Sequence, residues 1–195
     1  MPRPSGPHPQ PDEETQEHNL FFAIMAPPCT IPFLAKKCAH FRDCYKLRSS
    51  PIPPDRWHIS LHPVFRGKRL PPRVVDLSKI IGGAFRFEQF ELKLDMVMSY
   101  QNRRAKKPLV VCAQRPSSHI TRLTGHMGET ISVLSGEPPR TGQRISPHIT
   151  LVWDKTIIPP QPIEPIAIPV TEIALVHSHV GRSRYEFLGH WSLVP

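Results

Sequence analysis

The sequence predicts an α+β protein of two similar lobes. Strand-like and helix-like apolar periodicities alternate along the chain in the order strand, helix, strand, helix, strands, helix, strands. One short element, His58-Ile-Ser-Leu61, returns 90 positions later as His148-Ile-Thr-Leu151. Each copy falls at a strand that follows a helix and a Pro-containing loop, as expected if each lobe contributes one copy.

Residues 1–18 are Pro-rich, polar and without periodicity, so a disordered tail is expected there, followed by one domain over 19–195. The apolar run Asn19-Leu-Phe-Phe-Ala-Ile-Met-Ala26, closed by Pro27-Pro28, predicts a buried strand. Leu34, Cys38, Phe41 and Tyr45 stand at helical spacing and predict a helix of about four turns. Pro51, Pro53 and Pro54 break it, and 55–62 alternates as a strand.

A basic loop, Arg66-Gly-Lys-Arg69, leads into a second helix with Val74, Val75, Leu77, Ile80 and Ile81 as its apolar residues, expected to stop at Gly82-Gly83. Strand-like runs at 85–100 and 109–113 flank the cationic turn Arg103-Arg-Ala-Lys-Lys107. Ser117 or Ser118 is a candidate cap for a third helix reaching about Leu134. A Gly/Pro-rich loop precedes the strand at 148–153, and two closing strands are expected at 166–179 and 184–191, joined at Gly181.

The charge of +9 is uneven: residues 1–18 hold one basic and four acidic side chains, which leaves +12 on the rest. A basic body favours a polyanionic partner, nucleic acid before membrane, because no basic amphipathic helix is evident. No apolar run approaches the ~20 residues that span a bilayer, and the amino terminus lacks a secretory pattern. A cytoplasmic location is expected. Cys29, Cys38, Cys44 and Cys112 form no C-x-x-C pair, and no Cys/His spacing matches a zinc site. They are expected to be reduced, buried thiols.

Strand geometry gives the repeat its meaning. Side chains at i and i+2 share a face, so His58 projects with Ser60 and His148 with Thr150, while Ile59, Leu61, Ile149 and Leu151 turn toward a core. Two imidazoles and two hydroxyls suit displacement at phosphorus. One histidine takes a proton from the nucleophile and the other gives one to the leaving oxygen. The hydroxyls donate to the non-bridging oxygens. No metal or cofactor is then required. Ordinary histidines account for most isolated His-x-Ser strings; two copies at matching places in a repeated framework point to chemistry.

The same parity rule discards His119-Ile-Thr121, which lies in the predicted third helix, where i and i+2 diverge. His177-Ser-His179 puts two imidazoles on one strand face without a hydroxyl, and reads as a solvated strand before a cleft lining. His62 shares the predicted face of His58.

At these residues the sequence resembles the 2H phosphoesterase superfamily, and within it the bacterial RNA 2′,3′-cyclic phosphodiesterases of the 2′-5′ RNA ligase (LigT-like) family. Leu20-Phe-Phe-Ala-Ile24, Trp57-His-Ile-Ser-Leu-His62, Pro147-His-Ile-Thr-Leu151, Leu175-Val-His-Ser-His179 and Arg184-Tyr-Glu-Phe-Leu-Gly-His-Trp191 carry the resemblance, which spans nearly everything after residue 18. It implies a bilobal fold of two pseudo-symmetric lobes, antiparallel sheets with helices outside, and a central cleft. It implies hydrolysis of RNA 2′,3′-cyclic phosphate ends to 2′-phosphomonoesters, with 2′-5′ ligation as a related reaction.

By the same resemblance His148 is the base and His58 the acid. Many relatives carry a basic residue at the position of Trp153; Arg66, Lys68 or Arg69 is a candidate replacement. The loops at 66–69 and 103–107 are candidates for phosphate contacts, and Phe65 and Tyr100 for base stacking. The alternatives are a phosphodiesterase for small cyclic phosphates or 2′-5′ oligonucleotides, and a non-catalytic RNA- or nucleotide-binding module. A monomer without an obligate protein partner is expected.

Overall fold

The computed structural model describes residues 17–115, 117–136, 146–182 and 184–195. The tail expected over 1–18, apart from its last two residues, and most of the loop before the second motif lie outside them.

The chain forms β1 (His18–Met25), α1 (Ile31–Cys44), β2 (His58–Gly67), α2 (Pro72–Ala84), β3 (Phe90–Ser99), β4 (Lys107–Cys112), α3 (Ser118–Ser135), β5 (His148–Asp154), β6 (Gln161–Val170), β7 (Glu172–His179) and β8 (Arg184–Ser192). The strands build two four-stranded sheets, ordered β2-β1-β7-β8 and β5-β4-β3-β6, and every strand pair is antiparallel. The two orders correspond position by position, with β2 matching β5 and β1 matching β4. This is the two-lobed α+β architecture the repeat predicts.

The edge strands β2 and β5 lie against each other where the lobes meet. Helices cross between lobes: α1 packs on β5 and α3 on β2. The main core runs through both lobes and takes one face of each sheet, with Leu20, Phe22, Ile24, Ile59 and Leu61 from the first and Leu109, Val111, Ile149 and Leu151 from the second. Each of these apolar side chains stabilises by roughly 1.5–3 kcal/mol on burial.

Several boundaries differ from the sequence-based expectation. His18 already belongs to β1, hydrogen-bonded between β2 and β7. Residues 54–56 form a 3-10 turn, so the second strand begins at His58 and runs through Pro63 to Gly67. The single strand expected at 166–179 is two strands in different sheets, parted at Thr171. Pro162, Pro165 and Pro169 are accommodated because β6 is an edge strand, where a missing donor breaks no ladder.

Gly82 and Gly83 do not stop α2, which continues to Ala84. Gly82 is required for contact instead: a Cβ there would lie 2.5 Å from the Trp191 ring on β8. Two of the four cysteines, Cys29 and Cys44, are exposed; Cys38 and Cys112 are buried, and all four are free thiols. Ser117 caps α3, its Oγ accepting from the Ile120 N–H, and Gly136 ends it in the left-handed region with φ 73°. Among the described residues no helix is long and apolar enough to cross a membrane.

Candidate active site

Cross-strand partners identify the face to which the motifs belong. His58 stands opposite Met25 and Ser60 opposite Ala23. Ala23 belongs with Phe21, Ala174 and Val176 to a small apolar cluster on the side of the first sheet away from the main core, with Met25 and Tyr185 packed on it. In the second lobe His148 stands opposite Cys112 and Thr150 opposite Val110, while Val111 and Ile149 turn into the core. Each His/hydroxyl pair thus shares the non-core face of its edge strand.

Both motif strands carry a bulge at the same place. Leu61 is the extra residue between Ser60 and His62, and Leu151 is the extra residue between Thr150 and Val152. A bulge reverses the alternation beyond it. His62 is therefore opposite Phe22, a core residue, and leaves the face of His58 that strict alternation assigns it. In the other lobe the bulge turns Val152 into the core and brings Trp153 onto the face of His148 and Thr150.

The two imidazoles are held alike. His58 Nδ1 lies 2.8 Å from the carbonyl of Arg56, and His148 Nδ1 lies 2.8 Å from the carbonyl of Ser146. A carbonyl only accepts, so each Nδ1 carries the proton and each neutral ring keeps its Nε2 lone pair outside that bond. Aromatic rings brace both: Phe21 and Tyr185 stand 5.1 and 5.6 Å from His58, and Tyr100 stands 4.8 Å from His148. Tyr100 hydrogen-bonds through its hydroxyl to Ser146 Oγ. Burial pushes its phenol up to about 12.

Burial, first, and then the charges of His148 and Arg56 hold the His58 imidazole below its ordinary value, against the opposing hydrogen bond to the Arg56 carbonyl. His148 is likewise lowered by burial, opposed by its bond to Ser146. The two histidines of different lobes are thus close enough to repel each other when charged.

Arg56 was not apparent from the sequence as a site residue. Its guanidinium lies 4.7 Å from the Tyr185 ring centre, its carbonyl orients His58, and its Nε is enclosed without a hydrogen bond. Its one sequence signal is a cation two residues before the motif histidine. Arg104, from the cationic turn already singled out as a candidate for phosphate contacts, places its guanidinium 5.4 Å from the Trp153 ring centre.

The other candidates separate. Ser60 is exposed and Thr150 half-buried on the cleft face. Arg66 is eight residues beyond His58 along β2, a path of roughly 26 Å at 3.3 Å per residue. There it is ion-paired with Glu17 at 2.7 Å, and Arg104 also acts on that carboxylate. Lys68 lies beyond the strand end and is exposed. Phe65 is partly buried, packing against the main core and over Gly67. His119 lies on α3, stacked on Phe90 at 5.1 Å. A shallow depression lined by Arg86, Phe87, Arg122 and His126 shares no residue with the cleft.

This arrangement, two pseudo-symmetric antiparallel lobes with an H-x-[ST] strand at the facing edge of each, is the bilobal 2H phosphoesterase fold. Solved structures with that architecture include E. coli LigT complexed with 3′-AMP, at 23% identity and TM-score 0.67 over 92% of this chain and 99% of that one. The protein TT0787 of Thermus thermophilus is 22% identical, with TM-score 0.71 over 89% and 97% of the two chains. A further structure described as a phosphoesterase is 22% identical, with TM-score 0.67 over 91% and 99%. No family model and no curated protein matches the sequence.

Proposed function

We propose that this protein is a phosphodiesterase that opens 2′,3′-cyclic phosphate ends of RNA by acid/base catalysis between His58 and His148. The observation that carries this reading is the matched pair of imidazoles, each fixed through Nδ1–H to the carbonyl two residues earlier. Each therefore offers its Nε2 from the facing edge of one lobe.

In the proposed reaction water attacks phosphorus opposite the 3′ oxygen. His148 Nε2 removes a proton from that water, the new P–O bond forms, and the P–O3′ bond breaks. Protonated His58 gives its Nε2 proton to the departing 3′ oxygen, leaving a 2′-phosphomonoester and a 3′-hydroxyl. Ser60 and Thr150 donate to the non-bridging oxygens, where charge grows. Burial, His148 and Arg56 all disfavour an imidazolium at His58 in the free protein. The phosphate's negative charge reverses that balance, so the acid takes up its proton as substrate arrives. Run with an RNA 5′-hydroxyl as partner, the same groups support 2′-5′ joining.

The +12 carried by residues 19–195 and the arginines toward the far end of β2 favour an RNA strand over a small cyclic phosphate. Phe187, 43% exposed and opposite Val176 on the cleft side of β8, is a base-stacking candidate. The reading carries with it a cytoplasmic monomer that needs no cofactor for the chemical step. E. coli LigT forms a complex with 3′-AMP, which agrees with a nucleotide end as the reacting group.

The test is cleavage of an oligoribonucleotide ending in a 2′,3′-cyclic phosphate, in EDTA, with the position of the product phosphate identified. A 2′-phosphate product that disappears in His58→Ala and in His148→Ala is expected. Full activity in both variants would overturn the assignment. Turnover of cyclic mononucleotides with none of oligomers would replace RNA by a small substrate, and binding without turnover would leave a recognition module.

A further inference from the structure

A second cluster of histidines lies on the opposite side of the first sheet. His18 opens β1 and pairs with His179, which closes β7; Leu20 pairs with His177. Leu20 faces the main core, so His18, His177 and His179 share its face, whereas Phe21 and Val176 turn toward His58. His18 Nδ1 is 2.8 Å from His177 Nε2. The ring centres are 5.0 Å apart for His18 and His177, 4.3 Å for His177 and His179, and 5.6 Å for His18 and His179. One nitrogen from each ring falls within 4.8 Å of the other two. Glu186 on β8 places Oε2 at 3.5 Å from both His177 Nδ1 and His179 Nε2.

Ordinary surface histidines do not gather in this way. The side chains of His177 and His179 are only 10% and 16% exposed. His179 Nε2 is enclosed and, beyond the 3.5 Å ion-pair contact with Glu186 Oε2, makes no hydrogen bond. Enclosed polar nitrogens are nearly always satisfied, and a metal ion would satisfy this one.

Neutral imidazole nitrogens suit zinc-like divalent ions, at about 2.1 Å from the metal in a tetrahedral set, which separates the donors by roughly 3.4 Å. The His18–His177 contact is shorter than that by about half an ångström, a shift that small ring rotations provide. Glu186, beside two of the rings, supplies the carboxylate that commonly orients metal-bound histidines and offsets the ion's charge.

We propose that His18, His177 and His179, with Glu186 beside them, bind one divalent transition-metal ion of the zinc class. The ion clips the first strand to the closing hairpin on the face away from the catalytic pair. It therefore serves the fold and not the phosphate chemistry. The sequence conceals the site because His18 stands 159 positions from His177, a separation no metal-ligand motif covers.

Calorimetric titration of the tag-free, EDTA-stripped full-length protein with Zn2+, and the visible d–d band on titration with Co2+, test this. One ion per chain is expected, with a Kd below about 1 µM and a higher melting temperature when zinc is bound. His179→Gln and His18→Gln should each weaken binding at least 100-fold, and Glu186→Gln about 10-fold, with circular dichroism showing that the variants fold. Mg2+ should not compete, being an oxygen-seeking ion. His58→Ala/His148→Ala should bind normally. Absence of saturable binding, binding that survives both glutamine variants, or binding lost with the catalytic histidines would each overturn the proposal.

Discussion

His58 donates its Nδ1 proton to the carbonyl of Arg56, two residues back along its own chain, at 2.8 Å. Because the bond is local, the ring orientation is set by the turn that delivers the strand. His148 repeats it with Ser146. Replacing either histidine by alanine removes one proton-transfer group, and kcat should fall by ~10² to 10⁴. A cyclic phosphate substrate with a better 3′ leaving group should rescue His58→Ala more than His148→Ala. The reverse rescue would exchange their roles.

Both motif imidazoles, His58 and His148, are held below the ordinary histidine value of about 6.5. One must be neutral and the other protonated, so the bell-shaped kcat/KM profile should peak on the acid side of that value. The kcat profile should shift upward, because bound phosphate favours the imidazolium. The stability sign follows from linkage. Between the lowered folded values and 6.5 the unfolded chain binds more protons, so stability is full above 6.5 and declines as pH falls through that window. An alkaline kcat/KM optimum in a pH–rate series would contradict this.

Trp153 holds Arg104 over its ring at the cleft face of β5. Arg104→Ala should raise KM for cyclic-phosphate oligomers several-fold, reduce the salt dependence of kcat/KM, and change cyclic mononucleotide turnover little. Equal losses on both substrates would place Arg104 at the reacting phosphate.

Gly82 and Gly83 are adjacent in α2 yet should respond oppositely to alanine. At Gly82 the new Cβ would lie 2.5 Å from Trp191, and overpacking should cost ~1–3 kcal/mol. At Gly83 the nearest atom is 3.8 Å away, so helix propensity should prevail and add ~0.5–1 kcal/mol. Urea denaturation measures both.

Asp154 is 5% exposed and accepts from the backbone N–H groups of Arg48, Ser49 and Thr156. Burial alone would raise its carboxyl, but the donors from Thr156 and Ser49 hold it far below the usual range. Asp154→Ala strands three donors where the α1–β2 connection meets β5, and should cost ~2–4 kcal/mol of unfolding free energy. An unchanged urea midpoint would show that water replaces the carboxylate.

The sequence by itself determined the fold class, the three helices and the two motif strands. These rest on local periodicity: Leu34, Cys38 and Phe41 at helical spacing, and Ile59 and Ile149 alternating with the motif residues. The His119 look-alike was also excluded by local spacing. Tertiary structure decided what depends on pairing between distant strands. The bulges at Leu61 and Leu151 turned His62 toward the core and Trp153 toward the cleft, and alternation within one strand cannot reveal a bulge made against another. The approach of Arg56 to Tyr185, of Arg104 to Trp153, and of His18 to His177 required the chain to fold back across more than 40 residues. Periodicity assigns each residue a face of its own element; only the ladder between strands assigns it a neighbour.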